Sequence, residues 1–326
     1  MMMIIPFQLM LSMTLGLSIL LAASSNNLLY VWLSLEINML CFIPIMISSN
    51  EFQEVEASIK YFLAQAMGSS IFLMSVFMTN LNFNMTYVIM ISLLLKIGMF
   101  PFHFWFPDVM SSISWVSCLL LSTIQKIIPL ITMSFYTSVS SYFIYILAVM
   151  NSLFGGIVGM NQTKVRSIMA YSSIGHMGWM ISVMKIMPCK TMAYMMAYII
   201  IISPLFFTMN SLSTLSSSSL SKLYSMDNFS LFNITFMLLS LAGIPPFLGF
   251  YPKWMVLSEL INYSLMCSAG LILGSLLNLW FYLSITISLL TSSFSSQQSN
   301  KFSMRYFYNL AILNFNIFFI GMLVAF

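Results

Sequence analysis

Charge is scarce in this chain. Asp, Glu, Lys and Arg together make up 6% of its 326 residues, whereas a soluble domain carries about 25%. So little polar material cannot cover a surface in water, which excludes a soluble enzyme, a disordered chain and a nucleic-acid-binding protein. The four cysteines lie far apart with no CxxC pair, so no metal site is expected. Phosphate-binding loops, nucleophile constellations and redox-cofactor sites are lacking as well.

Long apolar runs occur in place of the missing charges, because 60% of the residues are hydrophobic. Five stretches contain no Asp, Glu, Lys, Arg or His, namely 1–35, 61–95, 127–163, 228–252 and 260–300. In lipid the backbone groups of such runs form their hydrogen bonds within helices. The sequence does not show the alternating pattern of apolar and polar residues that is typical of the strands of a membrane barrel. The sequence therefore predicts an all-α polytopic membrane protein with about eleven transmembrane helices, at roughly 20 residues a span.

Clusters of Ser and Asn separate the predicted spans, and no connection is long enough to form a soluble domain. We therefore predict a single transmembrane domain over residues 1–326, with repeat halves at about 1–136 and 137–292 and a further C-terminal helix. The spans are predicted at about 3–22, 28–48, 59–79, 86–103, 112–136, 140–160, 167–185, 191–212, 229–265 (broken), 267–292 and 306–325.

Basic residues in the loops predict the orientation, because they are enriched on the inner side of a membrane. Loops on the side of the N-terminus carry five of them, and loops on the opposite side carry Lys185 and Lys190. The five are Lys164, Arg166, Lys222, Lys301 and Arg305. This difference places the N-terminus on the inner side.

An internal repeat lies inside this pattern. Residues 98–110 read GMFPFHFWFPDVM and residues 243–255 read GIPPFLGFYPKWM, so both fit G-x-x-P-F-x-x-x-x-P-x-x-M at an offset of 145 residues. The residues predicted to break the helices are Gly98, Pro101, Pro107, Gly243, Pro245, Pro246 and Pro252. The motifs fall on the fourth and ninth spans, which run in opposite directions, so we predict inverted-topology repeats with two discontinuous helices. The alternative is a chance coincidence of two Gly/Pro motifs.

Four ionisable side chains fall in apolar segments or in a broken helix, where each costs about 2.5–3.5 kcal/mol on insertion scales. They are Glu36, Lys96, Lys126 and Lys253. Groups retained at this cost are expected to face the interior of the bundle, near loosened backbone, water or another charge. A line of such groups with cavity water is the physical minimum for a proton path. We therefore predict that these four residues translocate protons.

Four further residues are accessory candidates for the same path: Lys60, His103, His176 and Glu259. The alternative for Lys60 is a side chain at a helix end that snorkels to the interface, and Glu259 also fits an interfacial position. A lone histidine in an apolar helix is more often a hydrogen-bonded structural residue than a proton carrier. His176 has additional support because two serines lie one turn before it.

At these residues the chain resembles the NADH–ubiquinone oxidoreductase chain 2 family of animal mitochondria. The matching segments follow in the order of that family and span most of the chain: WLSLEINMLCFIPI, EASIKYFLAQAMGS, LLLKIGMFPFHFWFPDV, STIQKIIP, GMNQTKVRSIMAYSSIGHMGWM and AGIPPFLGFYPKW. The 32 methionines also resemble the product of a mitochondrial gene, in which an additional codon is read as Met.

The resemblance implies an antiporter-like core subunit of respiratory complex I in the mitochondrial inner membrane, with its N-terminus in the matrix. It implies that Glu36, Lys96, Lys126 and Lys253 carry protons, coupled to NADH:ubiquinone oxidoreduction in other subunits. The implied partners are other complex I membrane subunits, including further antiporter-like ones, and phospholipids. NADH, FMN, iron–sulfur clusters and ubiquinone are then bound by partner subunits. Two alternatives stay open, an independent sodium/proton antiporter and a purely structural membrane subunit.

Overall fold

The computed structural model describes residues 4–47, 51–81, 83, 85–136, 139–213 and 228–295. These ranges are helical and contain no strand, which confirms the all-α prediction. In chain order the helices are α1 (Ile4–Ser24), α2 (Leu28–Met46), α3 (Phe52–Asn80), α4 (Thr86–Ile97), α5 (Trp105–Ser112), α6 (Trp115–Ser122), α7 (Ile124–Tyr136), α8 (Ser141–Met160), α9 (Val165–Met184), α10 (Pro188–Ser213), α11 (Asn228–Ala242), α12 (Phe250–Tyr263) and α13 (Leu265–Ser295).

Six segments within the described ranges are long and apolar enough to cross a membrane, by length and composition: Leu28–Met46, Phe52–Thr79, Trp115–Phe135, Ser141–Met160, Pro188–Asn210 and Leu265–Leu290. Shorter apolar helices cover Leu9–Ser24, Thr86–Ile97 and Phe232–Ala242. The chain is therefore a multi-pass membrane protein. The predicted span at 306–325 lies outside the described residues, and the total of eleven crossings stays a prediction.

The third predicted span begins too late, because α3 begins at Phe52 and not near residue 59. The first two turns of α3 carry charges, which an apolar criterion passes over. Glu54 lies in the first turn, where a carboxylate is favourable beside the positive end of the helix dipole. Glu56 pairs with Lys60 at 2.7 Å with the i,i+4 spacing that stabilises a helix.

Both Gly/Pro motifs interrupt a helix where the sequence predicts. The breaks cover residues 98–104, between α4 and α5, and residues 243–249, between α11 and α12. Each break is seven residues long, and the offset of 145 residues is kept at both ends. Gly98 and Gly243 follow the helix ends with φ values of 76° and 79°, a left-handed conformation that glycine adopts without steric cost.

The prolines of the motifs fall into two groups. Pro107 and Pro252 are the third residues of α5 and α12, and both are buried. In the first turn of a helix a backbone N–H has no helical partner, so proline is tolerated there. Pro101, Pro245 and Pro246 lie within the breaks and are exposed.

A third interruption, which the sequence did not predict, lies within the fifth predicted span. α6 ends at Ser122 and α7 begins at Ile124, and the backbone at Thr123 has φ −115° and ψ −77°. The hydroxyl of Thr123 donates to the carbonyl of Leu119 at 2.6 Å, a type of bond that often bends helices. This irregular backbone lies within one turn of Lys126.

The chain divides into two compact units, Met1–Leu147 and Ala148–Phe326. In the first unit α3 packs against α2, α4 and α5, and α7 packs against α1, α2 and α4. The largest fully buried side chains described in this unit include Phe42, Tyr61 and Phe106. The helices α3 and α7 are thus the common neighbours of the others in this unit.

In the second unit α9 is the central helix. It packs against α10, α12 and α13, and all of its residues except Arg166 and Tyr171 are buried. A helix that is buried on all sides lies in the interior of a bundle. α11 packs against α10 and α13, which places the second interrupted helix beside the same group of helices.

Candidate functional site

Lys96 lies in the last turn of α4 and is 4% exposed. The helix ends there in a Schellman arrangement. The N–H of Met99 donates to the carbonyl of Leu94 at 3.1 Å, and that of Gly98 donates to Leu95 at 3.2 Å. The lysine therefore stands where the regular helical backbone stops.

Two side chains donate further hydrogen bonds to carbonyls at this helix end. Trp105 Nε1 donates to the carbonyl of Leu95 at 3.1 Å, and Gln65 Nε2 donates to that of Lys96 at 2.8 Å. α3 comes close enough because Gly68 faces the lysine, and a Cβ at Gly68 would lie 2.8 Å from Lys96 Cγ. A buried carbonyl left unpaired costs about 1–3 kcal/mol, so these contacts fix the end of the half-helix.

Glu36 lies on α2 and is only partly exposed. Its charge acts on both Lys96 and Tyr61. In the described part of the chain, no ion pair within 4.0 Å joins the Glu36 carboxylate to the Lys96 ammonium. Glu36 therefore acts on Lys96 through space and not through an ion pair.

Lys126 lies in the first turn of α7 and is 2% exposed. Its Nζ lies 4.4 Å from the centroid of the Phe106 ring, which is within the range of a cation–π interaction. Phe106 belongs to α5, the helix that follows the first break. The first interrupted helix thus carries Lys96 before its break and the ring that faces Lys126 after it.

Lys253 lies in the first turn of α12 and is 7% exposed. Its Nζ donates to the carbonyl of Ala242, the last residue of α11, at 2.7 Å. Gly243 leaves room for this contact, since a Cβ there would lie 2.8 Å from the same Nζ. The C-terminal end of a helix carries partial negative charge, which favours a cation. The ammonium group therefore caps the first half of the interrupted helix from the second half.

The two breaks are alike in length and in their left-handed glycine, but their charged residues stand at different positions. At the offset of 145 residues, the position of Lys96 is occupied by Leu241 in the second motif, and the position of Lys253 by Asp108 in the first. Leu241 is buried and Asp108 is exposed. Each interrupted helix therefore carries one buried lysine at its break, before the break in the first and after it in the second.

The charged accessory candidates lie in ion pairs with part of their surface exposed. The side chain of Lys60 is 48% exposed and pairs with Glu56. Glu259 of α12 pairs with Lys190 of α10, and 22% of the Glu259 side chain is exposed. These pairs join neighbouring turns or helices near the surface of each unit.

Both histidines contact aromatic side chains. His103 is buried within the first break and stacks on Phe104, with 4.4 Å between the ring centroids. His176 is buried in α9, where its Nδ1 lies 3.0 Å from the hydroxyl of Tyr194 and its ring centroid 5.2 Å from that of Tyr198. The serines one turn before His176 donate to carbonyls of their own helix. Tyrosines of α10 are therefore its described neighbours from another helix.

Sequence reasoning missed the neutral partners of the charged residues, among them Gln65, Trp105 and Phe106. The sequence of α3 does contain a pattern that indicates a functional face. Tyr61, Gln65 and Gly68 follow at i, i+4 and i+7, so two polar groups and one small residue share a face of an apolar helix. Phe106 had no such signal, because it is one of 29 phenylalanines.

Comparison with known sequences identifies the relatives of this chain. The family described as NADH:quinone oxidoreductase/Mrp antiporter, TM matches residues 25–86 and 78–278. NADH-ubiquinone oxidoreductase chain 2 of Lumbricus terrestris is 46% identical, over 84% of this chain and 84% of that protein. The chain 2 proteins of Locusta migratoria, at 39% identity over 82% and 81%, and of Bos taurus, at 36% over 90% and 88%, are similar along most of their length.

Solved structures share the fold. A chain of respiratory complex I from Thermus thermophilus has a TM-score of 0.81 at 19% identity, over 98% of this chain and 78% of that chain. A chain of the Mrp complex from Dietzia sp. has a TM-score of 0.75 at 18% identity, over 90% and 61%. These likenesses establish an antiporter-like membrane fold. The chain belongs to the NADH-ubiquinone oxidoreductase chain 2 family, within the wider NADH:quinone oxidoreductase/Mrp antiporter family.

Proposed function

We propose that the chain is a core membrane subunit of respiratory complex I. In this role it translocates protons across the mitochondrial inner membrane, coupled to NADH:ubiquinone oxidoreduction that other subunits carry out. The relatives named NADH-ubiquinone oxidoreductase chain 2, and the fold shared with a complex I chain, support this role. The proposed proton carriers are Glu36, Lys96, Lys126 and Lys253.

The observation that carries the proposal is the burial of three lysines beside irregular backbone in apolar helices. Lys96, Lys126 and Lys253 are each no more than 7% exposed, and each lies within four residues of a helix interruption. A cation retained in such segments, despite its cost in lipid, marks a functional site.

The surroundings of these lysines suit proton uptake and release. An amine takes up one proton to become a cation, and that cation is stabilised by the Ala242 carbonyl at Lys253 and by the Phe106 ring at Lys126. Both stabilising groups belong to interrupted helices. A movement of a half-helix would therefore change how firmly the proton is held.

We further infer that about eleven helices form one membrane domain, built from two inverted repeats. The seven-residue breaks at a constant offset support the repeat. The opposite direction of the two copies follows from the number of spans between them. The loop charges support an N-terminus on the matrix side.

In the assembled enzyme, we infer, this chain contacts other complex I membrane subunits, including further antiporter-like subunits, and phospholipids. It is part of an NADH:ubiquinone reductase, while NADH, FMN, iron–sulfur clusters and ubiquinone are bound by partner subunits. Exposed apolar side chains along the helices supply surface for these contacts, for example Met10, Met67, Tyr142 and Trp280.

Proton pumping by the assembled complex in proteoliposomes tests the proposal. The variant Lys96→Met removes the charge and keeps an unbranched side chain, and we expect it to lower the number of protons moved per NADH oxidised. Lys164→Met is the matched control, because Lys164 is exposed and has no place in the proposed path, and we expect its ratio to be unchanged. A normal ratio in assembled Lys96→Met complex would remove Lys96 from the proton path.

A second candidate is an independent sodium/proton antiporter, which the fold similarity to a chain of the Mrp complex favours. Reconstitution of the isolated chain in vesicles with a sodium gradient distinguishes the two functions. Cation exchange by the chain alone would support the antiporter, and its absence would support a role within the complex. A purely structural subunit would tolerate replacement of all the buried lysines without loss of pumping.

A further inference from the structure

Three neutral side chains from three helices of the first unit form a hydrogen-bonded chain. Tyr61 Oη on α3 donates to Gln125 Oε1 on α7 at 3.0 Å, and Gln125 Nε2 donates to Asn38 Oδ1 on α2 at 3.2 Å. Tyr61 and Asn38 are fully buried, and Gln125 is partly buried. These three residues are called the amide–tyrosine chain below.

Two members of the amide–tyrosine chain adjoin proposed proton carriers in the sequence. Asn38 follows Glu36 by two residues on α2, and Gln125 directly precedes Lys126 on α7. The hydrogen bond between Gln125 and Asn38 therefore ties the backbone that carries the carboxylate to the backbone that carries the lysine. A rotation or slide of either helix breaks this bond.

The third member, Tyr61, connects the same chain to Lys96. One turn after Tyr61 on α3, Gln65 donates to the backbone carbonyl of Lys96 at 2.8 Å. The charge of Glu36 also acts on Tyr61. Through Tyr61 and Gln65, α3 is therefore linked to the helices of all three carriers in this unit.

The ring of Tyr61 adds packing on both sides. Its centroid lies 5.3 Å from that of Phe42 on α2, in an edge-to-face arrangement, and 5.9 Å from that of Trp105. Trp105 in turn donates to the carbonyl of Leu95 at the end of α4. The hydroxyl thus forms a directional hydrogen bond, while the ring provides apolar contact area.

The chemistry of the amide–tyrosine chain suits positioning and not proton transport. Side-chain amides donate and accept hydrogen bonds but do not titrate in the physiological range. Gln125 uses its oxygen toward Tyr61 and its nitrogen toward Asn38, so flipping its amide alone would set two oxygen acceptors, Gln125 Oε1 and Asn38 Oδ1, against each other. An arrangement of the helices in which one of these buried hydrogen bonds is broken is less populated by about fivefold or more. The hydrogen bonds therefore hold the three helices in one register.

We propose that the amide–tyrosine chain positions Glu36 and Lys126 for proton transfer, and Lys96 through α3, by fixing the register of α2, α3 and α7. This inference rests on the function proposed above. Tyr61, Gln125 and Asn38 are positioning residues, and the protons move on the charged residues that they align.

The test uses Tyr61→Phe in the assembled complex, because this change removes the hydroxyl and keeps the ring packed against its neighbours. The pumping rate per assembled complex is measured in proteoliposomes across a range of pH. We expect the rate to fall by about fivefold and its pH dependence to change. Tyr30→Phe, at an exposed position of α2, is the matched control and leaves both unchanged.

A purely structural role gives a different result. If Tyr61→Phe only lowers the amount of complex, and the rate per complex and its pH dependence are those of the wild type, the proposal is wrong. If Tyr61→Phe does not assemble, Gln125→Met, which removes both hydrogen bonds at similar volume, is measured and read in the same way. Failure of both variants to assemble would also overturn the proposal in favour of a structural role.

Parallel measurement of Lys96→Met separates this inference from the proposed function. If Lys96→Met pumps normally, the proposed role of that lysine fails, whatever Tyr61→Phe does. If Lys96→Met is defective and Tyr61→Phe is normal, only the positioning role of the amide–tyrosine chain fails.

Discussion

Lys253 reaches across the second helix break, and its Nζ donates to the carbonyl oxygen of Ala242 at 2.7 Å. The two residues belong to different halves of one interrupted helix, so the position of the proton and the spacing of the halves are coupled. A protonated lysine draws the second half toward the end of the first, and a neutral one loses most of that attraction.

Replacement of Gly243 by alanine tests whether this geometry is required. We expect Gly243→Ala to destabilise the fold by about 1–2 kcal/mol through its left-handed backbone alone. The added Cβ would also lie 2.8 Å from Lys253 Nζ and displace the ammonium. The thermal unfolding temperature of the solubilised complex and its pumping activity are the measurements.

Gly16 supplies the control for that experiment, since a Cβ at Gly16 meets no atom within 4 Å. We expect Gly16→Ala to retain both stability and pumping. If the two alanine variants behave alike, the close contact at Gly243 has no role in function.

The carbonyl of Lys96 provides a second prediction. Gln65→Leu leaves this buried acceptor without its described side-chain donor, which costs about 1–3 kcal/mol, and frees the end of α4 beside the lysine. We expect lower thermal stability of the complex together with less pumping per NADH oxidised. Gln53→Leu, at an exposed position of the same helix, should change neither quantity, and equal effects of the two variants would contradict the assigned role of Gln65.

The ring that faces Lys126 provides a third prediction. Phe106→Leu keeps an apolar side chain but removes the π face, which is worth about 2 kcal/mol toward a desolvated cation. We expect slower proton pumping by the assembled complex, because the protonated form of Lys126 is less well stabilised. Phe135→Leu, an exposed position on the helix of Lys126, serves as the reference, and pumping equal to that reference would show that the ring contributes only packing.

Much of the fold follows from local sequence signals. The Gly/Pro motifs predict where two helices are interrupted, because a left-handed glycine and a proline without a donor act on the backbone where they stand. The interruption at Thr123 was not predicted, since threonine is not a strong helix breaker as glycine and proline are. The early start of α3 was missed because its first turns are stabilised by charges and not by apolar residues.

The candidate site was predictable only in its charged members. A lysine in an apolar segment is conspicuous in one dimension, so Lys96 and Lys126 were singled out from the sequence. Their neutral partners are defined by which helices pack together. Gln65, for instance, lies 31 residues from the carbonyl that it binds. Such pairings depend on tertiary contacts that no local pattern of residues specifies.

The most direct test of proton transfer compares Lys253→Arg with Lys253→Met in the assembled complex. Arginine stays protonated and still donates hydrogen bonds, whereas methionine has no charge. If Lys253 carries protons, both variants lower the number of protons moved per NADH oxidised, because neither side chain releases one. If Lys253 only caps the half-helix, Lys253→Arg pumps like the wild type and Lys253→Met alone is defective, which would contradict a proton-carrying role.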